Sequence, residues 1–246
     1  MHISSIVRIF AKEEGRQMIK DERKNQLLKL IGRTGYIKVN ELAAKIYTSP
    51  STVRRNLSEL EKMGLIRRVS GGAELRSDSL EVPMQLRYKK NHEQKTLIAE
   101  RAAEHLKDDT VVFIDGSSTC LHMVPFISQH KNITVYTNGV EICSQLCQTD
   151  INVYCVGGEL LPRSLAFAGE YAISMVQSVY FDALFFSCSS FSDGMVTDYS
   201  EKEAHLRRAL IRQSKEKYFL CDHSKIGKRY SYIICNENDI TEIITE

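Results

Sequence analysis

In "SPSTVRRNLSELEKMG", residues 49–64, the apolar residues Val53, Leu57 and Leu60 recur at helical spacing and share one face. Ser51, Arg55, Ser58 and Lys62 fall on the opposite face, with Arg54 beside them. Ser49 suits the N-cap, Pro50 the first helical position and Gly64 the stop. Upstream, "ERKNQLLKLIGRTG" predicts a helix with Leu27, Leu28, Leu30 and Ile31 apolar, ended by Gly32 and Gly35. "YIKV" predicts a short extended piece, and "NELAAKI" a short helix with Asn40 as its cap. Downstream, "LIRRVSGGAEL" predicts a hairpin with Arg67 and Arg68 near its tip. Three helices and a hairpin make a winged helix-turn-helix.

A different pattern follows. "SDSLEVPM" is polar with one proline and reads as a linker. "QLRYKKNHEQKTLIAERAAEHL" predicts one long helix. Then short apolar runs alternate with helical stretches. "TVVFID", "ITVYTN", "INVYCVGG", "DALFFSCSS" and "KYFLCD" predict strands. "STCLHMVPFISQ", "GVEICSQLCQ", "GEYAISMVQSV" and "SEKEAHLRRALIRQS" predict helices between them. This alternation implies an α/β domain: a mostly parallel sheet with helices on both faces. The division expected is an extension over 1–17, a winged helix-turn-helix over 18–76, a linker over 77–89 and an α/β domain over 90–246.

Charge sharpens the division. The net charge of +2 conceals +7 over residues 20–76 (13 Lys and Arg against 6 Asp and Glu) and −6 over residues 77–246 (17 against 23). A basic front suits nucleic-acid phosphate. Small hydroxyls and arginines at the start of a helix suit the DNA major groove. The candidate DNA contacts are Ser49, Ser51, Thr52, Arg54, Arg55 and Ser58 on the helix, with Arg67 and Arg68 on the hairpin. The alternative for each arginine is a solvated, solubilising face. One recognition helix reads few bases, so a dimer or larger homo-oligomer (a dimer or a tetramer) is expected on double-stranded operator DNA.

The seven cysteines are scattered, without CxxC spacing, and predict buried reduced thiols, with no metal site and no cofactor. No apolar run is long enough to span a membrane, and "MHISSIVRIFAKEEG" makes a poor secretion signal, so a cytoplasmic protein is expected.

Four predicted strand ends finish in small or polar residues. They are Asp115-Gly116-Ser117-Ser118-Thr119, Thr137-Asn138-Gly139, Val156-Gly157-Gly158 and Asp222-His223-Ser224-Lys225. Ligands of open α/β sheets sit at the C-terminal ends of strands. Backbone N–H groups, hydroxyls and a lysine suit a phosphate carried on a sugar. Asp115 and Ser118 could equally cap or close turns, as could Asn138 and Gly158.

The front, with "TVRRNLSELEKMGLIRRVSGGA", resembles the DNA-binding domain of DeoR-type bacterial regulators. "FIDGSST", "TVYTN", "VGGELLPRS", "FAGEYA", "FDALFFS", "EAHLRRALI" and "DHSKIG" extend the resemblance over nearly all of the chain after residue 18. "MIKDER" looks like an ordinary family start, so Met18 is the expected native start, or residues 1–17 an accessory segment. The resemblance implies a C-terminal domain similar to ribose-5-phosphate isomerase. It also implies control of DNA binding, commonly repression, by a phosphorylated sugar. Carried over, Ser118 and Thr119 take the phosphate, Asp115 faces sugar hydroxyls, Asn138 and Gly158 line the pocket, Lys225 supplies positive charge, and Glu203 stands at the rim. Two departures stand out. Asn56 replaces the usual Asp, removing a negative charge expected near the DNA face. Ser117 and Ser118 replace the usual Gly and Thr, and Ser117 could tighten the turn or block close approach.

Two other classes fit the same pattern. One is an isomerase- or deaminase-like enzyme carrying a DNA-binding appendage, with Asp115 and Glu203 as its carboxylates and His122 nearby. The other is a DNA-binding protein whose second half only oligomerises.

Overall fold

The computed structural model describes residues 23, 24, 26–28, 30, 31, 34–62, 65–75 and 82–246. They fall into two compact units divided between residues 80 and 81. The expected extension, Met18, Gly32, Gly64 and residues 77–81 of the expected linker lie outside the described residues.

In the first unit, residues 23, 24, 26–28, 30 and 31 are helical. Gly35, at φ +74°, donates its N–H to the Ile31 carbonyl at 2.9 Å, a left-handed helix stop that glycine adopts without steric cost. Strand β1 (Tyr36–Lys38), helix α1 (Val39–Lys45), helix α2 (Pro50–Lys62) and strands β2 (Ile66–Val69) and β3 (Gly72–Leu75) follow. The three strands form an antiparallel sheet in the order β1-β3-β2. Leu27, Ile31, Leu42, Val53, Leu57 and Leu60 bury the apolar stripes together. Ser49 caps α2, its Oγ accepting the Thr52 N–H at 3.2 Å. Asn40 is not a cap: α1 begins at Val39, and Lys38 precedes it without a side-chain bond.

The second unit holds a six-stranded sheet in the order β14-β12-β9-β4-β5-β6, with every pairing parallel. The strands are β4 (Val111–Ile114), β5 (Thr134–Thr137), β6 (Asn152–Cys155), β9 (Phe181–Phe186), β12 (Ser214–Leu220) and β14 (Glu242–Ile244). Period-two alternation divides two cores. Val112, Ile114, Val135 and Phe185 pack on one side, against Ile98, Ala99 and Ala102 of helix α4 (His92–Ala103) and Ile142 and Leu146 of helix α6 (Val140–Leu146). Phe113, Leu184, Phe186 and Phe219 pack on the other, against helices α7 (Glu170–Gln177) and α8 (Glu201–Gln213). Each fully buried large side chain stabilises the unit by about 1.5–3 kcal/mol relative to exposure.

Four expectations change. The long helix is two: α3 (Met84–Lys89) and α4 are broken at Asn91, which sits at φ +54°. Asparagine tolerates that left-handed conformation, and its side chain bonds Asp222 at 3.0 Å. Met84, within the stretch expected as linker, is buried in the first of these cores. "STCLHMVPFISQ" forms only a 3-10 turn (Cys120–Met123) and a short helix α5 (Val124–Ile127). Strand β9 stops at Phe186, and Ser190 opens a new strand, β10 (Ser190–Ser192). That strand joins β11 (Met195–Asp198) and β13 (Tyr232–Asn236) in a small antiparallel sheet. β7 (Glu159–Leu161) and β8 (Ala166–Ala168) form a hairpin.

Candidate functional site

On the first unit, Ser51, Arg54 and Arg55 of α2 are exposed, Thr52 and Ser58 partly so, and Arg67 and Arg68 stand exposed on the hairpin. Ser49 is exposed but engaged: its Oγ lies 2.9 Å from both Ser51 Oγ and Thr52 Oγ1. Arg67 approaches Glu74 at 3.9 Å, an exposed contact of little energy. Asn56 turns inward with Val53 and Leu57 and is 1% exposed, so its difference from aspartate is not displayed to DNA. Its Nδ2 is buried without a hydrogen-bond partner. Tyr47, which the sequence reading did not single out, occupies the turn before α2 at φ +50° and is 96% exposed.

On the second unit, β4 is the switch point: β5 lies on one side of it and β9 on the other. Crevices for ligands open at such points, beyond the strands' C-terminal ends. Asp115 follows β4 and donates its N–H to the Phe185 carbonyl at 2.9 Å. The loop then crosses close to the β5 loop. A Cβ on Gly116 would stand 2.9 Å from Gly139 Cα, and one on Gly139 would stand 2.8 Å from Gly116 Cα. Asn138 pins this crossing, accepting the Gly116 N–H at 2.8 Å and donating to the Phe167 carbonyl at 2.9 Å. Ser117 turns its Oγ to the Cys120 N–H at 3.3 Å.

The next two hydroxyls each meet a lysine. Lys225 Nζ lies 3.1 Å from Thr119 Oγ1 and also donates to Ser187 Oγ, just beyond β9. Lys95 Nζ, from α4, lies 3.1 Å from Ser118 Oγ and also donates to the Arg87 carbonyl. Lys95 is 4% exposed. Burial, then the nearby charge of Lys225, lowers its pKa from 10.5 to about 7. Asp222 shows the opposite balance: burial would raise it, but Lys225 and hydrogen bonds from Ser224 and Asn91 hold it below the ordinary carboxylate value. His122 Nδ1 faces the Ser118 carbonyl at 2.8 Å and so carries the proton there, leaving Nε2 to accept from His92 Nδ1 at 3.0 Å. Burial lowers His122 to about 4, which keeps the ring neutral. It braces the loop.

Beside the loop lies a buried charge cluster. Arg207, 3% exposed, grips Asp115 with Nε–Oδ1 at 3.1 Å and Nη2–Oδ2 at 3.2 Å. It also bonds Asp198 at 2.9 Å and stands 3.6 Å from Glu203. Burial alone would depress the guanidinium, but Asp115, Glu203 and Asp198 outweigh it and hold its pKa raised. Burial raises Glu203, with Asp198 and Asp115 adding to the effect against Arg207. Asp115, expected to face sugar hydroxyls, is 1% exposed and committed to this pairing. Gly158, at φ +145°, packs against Ala168 and Ala172.

Sequence reasoning passed over Arg207, Lys95 and Arg87. A signal exists for the first two. Lys95 shares one helical face with Ile98, Ala99 and Ala102, and Arg207 with Glu203, Ala204 and Leu210. A cation on an apolar stripe must find a buried partner.

Exposed arginines on a winged helix-turn-helix, and a separate α/β unit with lysines turned onto a strand-end loop, define a two-domain DNA-binding regulator. Residues 23–79 match the DeoR-like helix-turn-helix domain, and residues 90–246 the DeoR C-terminal sensor domain. The chain is 31% identical over 236 residues to the lactose phosphotransferase system repressor of Staphylococcus aureus (strain NCTC 8325 / PS 47), covering 93% of both. It is 33% identical over 231 residues to the uncharacterized HTH-type transcriptional regulator FruR of Bacillus subtilis (strain 168), covering 93% of this chain and 92% of that one. The chain belongs to the DeoR family of transcriptional regulators. Among solved structures, ribose 5 phosphate isomerase A of Neisseria gonorrhoeae aligns with 55% of this chain and 53% of its own at 13% identity and a TM-score of 0.41. eIF2B delta of Chaetomium thermophilum aligns with 65% and 58% at 16% identity and a TM-score of 0.48. Neither likeness is strong enough to bear on this chain's chemistry. The enzyme alternative is not favoured: the relatives are transcriptional regulators, and both carboxylates it would need are committed to Arg207. No helix among the described residues is long and apolar enough to cross a membrane.

Proposed function

We propose that this regulator represses a carbohydrate-metabolism operon and that a phosphorylated sugar, bound beyond β4 and β9, changes its hold on operator DNA. The observation that carries the reading is the pair of neighbouring hydroxyls, Ser118 and Thr119, each bonded to a lysine of another element. Hydroxyls and ammonium groups converging at a strand end suit a phosphate. The name of the Staphylococcus aureus relative, which joins repression to a sugar phosphotransferase system, supports the same class of effector. Ser117 shapes the loop, Asn138 and Gly158 hold its surroundings, and Asp115 orients Arg207 beside Glu203 at the sugar end. Ser51, Thr52, Arg54, Arg55 and Ser58 read or grip the major groove, Ser49 fixes the helix start, and Arg67 and Arg68 hold phosphate from the hairpin. The protein acts in the cytoplasm as a homo-oligomer, a dimer or a tetramer, so that two recognition helices meet two half-sites.

The test is a thermal-shift screen of the full chain against phosphorylated sugars, with inorganic phosphate and free sugars as controls. Ligand that binds only the folded state raises the melting temperature by mass action. One sugar phosphate is expected to stand out, and to alter affinity for an operator duplex obtained by selection. Lys225→Ala is expected to bind that duplex normally and to ignore the sugar phosphate. A screen in which no sugar phosphate exceeds the phosphate control would refute the effector.

A further inference from the structure

Arg87, on α3, is unused by the reading above. Its carbonyl accepts from Lys95 Nζ, and the same Nζ lies 3.1 Å from Ser118 Oγ, which places α3 against the loop. Its Nε and Nη2 atoms are buried and have no hydrogen-bond partner. These two donors form the side-on edge of the guanidinium, the edge that takes two oxygens of a phosphate or carboxylate at once. Glu203 feels the charge of Arg87 but makes its ion pair with Arg207, at 3.6 Å. A buried donor pair with no acceptor is costly and calls for an explanation, and a bound anion supplies one.

We propose that Arg87 and Lys95, with Ser118, bind a phosphate dianion of the effector, Arg87 taking two of its oxygens through the Nε–Nη2 edge. The proposal rests on the effector reading and assigns its anchoring cations. The charges facing Lys95 are Lys225, Asp222, Arg87 and Lys90, with the neutral His122 beside them. Three of those four are cations, so an arriving dianion relieves repulsion and favours protonated Lys95. A neutral sugar would leave Arg87 unpaired and Lys95 poorly charged.

The experiment uses the full chain and inorganic phosphate as probe, at constant ionic strength made up with chloride. Affinity is read from the rise in melting temperature and from phosphorus NMR line broadening. Wild type is expected to bind phosphate. Arg87→Met is expected to melt no lower than wild type in chloride, because it removes an unpaired buried group, yet to bind phosphate at least about tenfold more weakly. Arg87→Lys, which keeps charge and loses the fork, should fall between them. Lys95→Met should also weaken binding. Selecting the dianion itself draws protons off the free phosphate, which uptake by Lys95 offsets in wild type. The variant should therefore release more protons on binding than wild type, measured by calorimetry in two buffers of different ionisation enthalpy. The proposal is overturned if wild type does not bind phosphate, if Arg87→Met binds it normally, or if that variant melts well below wild type in chloride. Should the phosphate results hold while no sugar phosphate alters DNA affinity, the anion site stands and the effector reading falls.

Discussion

Arg55 and Arg207 put one residue type into opposite circumstances. Arg55 stands exposed on α2, where hydration satisfies its charge and leaves it available to an incoming phosphate or base. Arg207 is 3% exposed and has three carboxylates around it, so its charge is spent within the fold. The contrast extends to the two units. The first displays the arginines of α2 and of the hairpin to solvent. The second buries charge beside its strand-end loop, where interactions between charges are strong because water does not screen them.

The largest expected effect tests the buried side. Arg207→Met leaves Asp115, Asp198 and Glu203 without their shared cation and should destabilise the second unit by about 3–5 kcal/mol. Denaturation followed by hydrogen exchange in β4 and β9 measures it. A loss below about 1 kcal/mol would mean the cluster is no more than a solvated pair.

Arg55→Ala tests the exposed side. It should weaken operator binding by about 1–3 kcal/mol if Arg55 reads a base, while stability changes by less than about 0.5 kcal/mol. Equal weakening on all duplexes, with a flatter salt dependence, would assign it to phosphate instead. Unchanged binding would remove α2 from the groove.

Lys95 gives a pH signature that no exposed lysine should show. Its pKa is about 7 in the folded unit against 10.5 ordinarily. Between those values the unfolded chain holds a proton that the folded one excludes, so stability of the ligand-free unit rises with pH. From pH 7 to 8.5 the gain should be about 1–2 kcal/mol, absent in Lys95→Met. Read as the difference between the two proteins, it cancels the buried cysteines, whose raised pKa values act in the opposite sense. A parallel pH dependence would show that Lys95 is ordinarily charged.

The smallest effect returns to the first unit. Tyr47 holds φ +50° with its side chain 96% exposed, so it has strain to lose and almost no packing. Tyr47→Gly should stabilise that unit by about 0.5–1 kcal/mol, less if the added freedom of the unfolded chain offsets the relief. A destabilised variant, seen in chemical denaturation, would mean that the ring makes a contact worth more than the strain.

Much was legible from local pattern. Val53, Leu57 and Leu60 marked the buried face of α2, Ser49 its cap, and "TVVFID" the strand that carries the loop. These follow from periods of 3.6 and 2 and from orphaned backbone donors at a helix start, which the chain expresses within a few residues. The long helix failed at Asn91 because a left-handed residue paired with Asp222 is a distant agreement, 131 residues apart. The β10-β11-β13 sheet escaped notice because strands of three to five residues carry too few positions for a period to show.

The sequence by itself determined two domains, a basic winged helix-turn-helix and an α/β unit, and the hydroxyl loop at the end of β4. It also placed cations on the apolar stripes of α4 and α8. Only the tertiary structure decided their partners. Lys95 meets Ser118 across 23 residues, and Arg207 meets Asp115 across 92. Periodicity says that a charge is buried; the order of the strands, which sets Ser187 and Asp115 side by side and brings Asp198 in from another sheet, says against what. That order comes from the sum of many weak contacts over the whole unit, and no short stretch of the chain contains it.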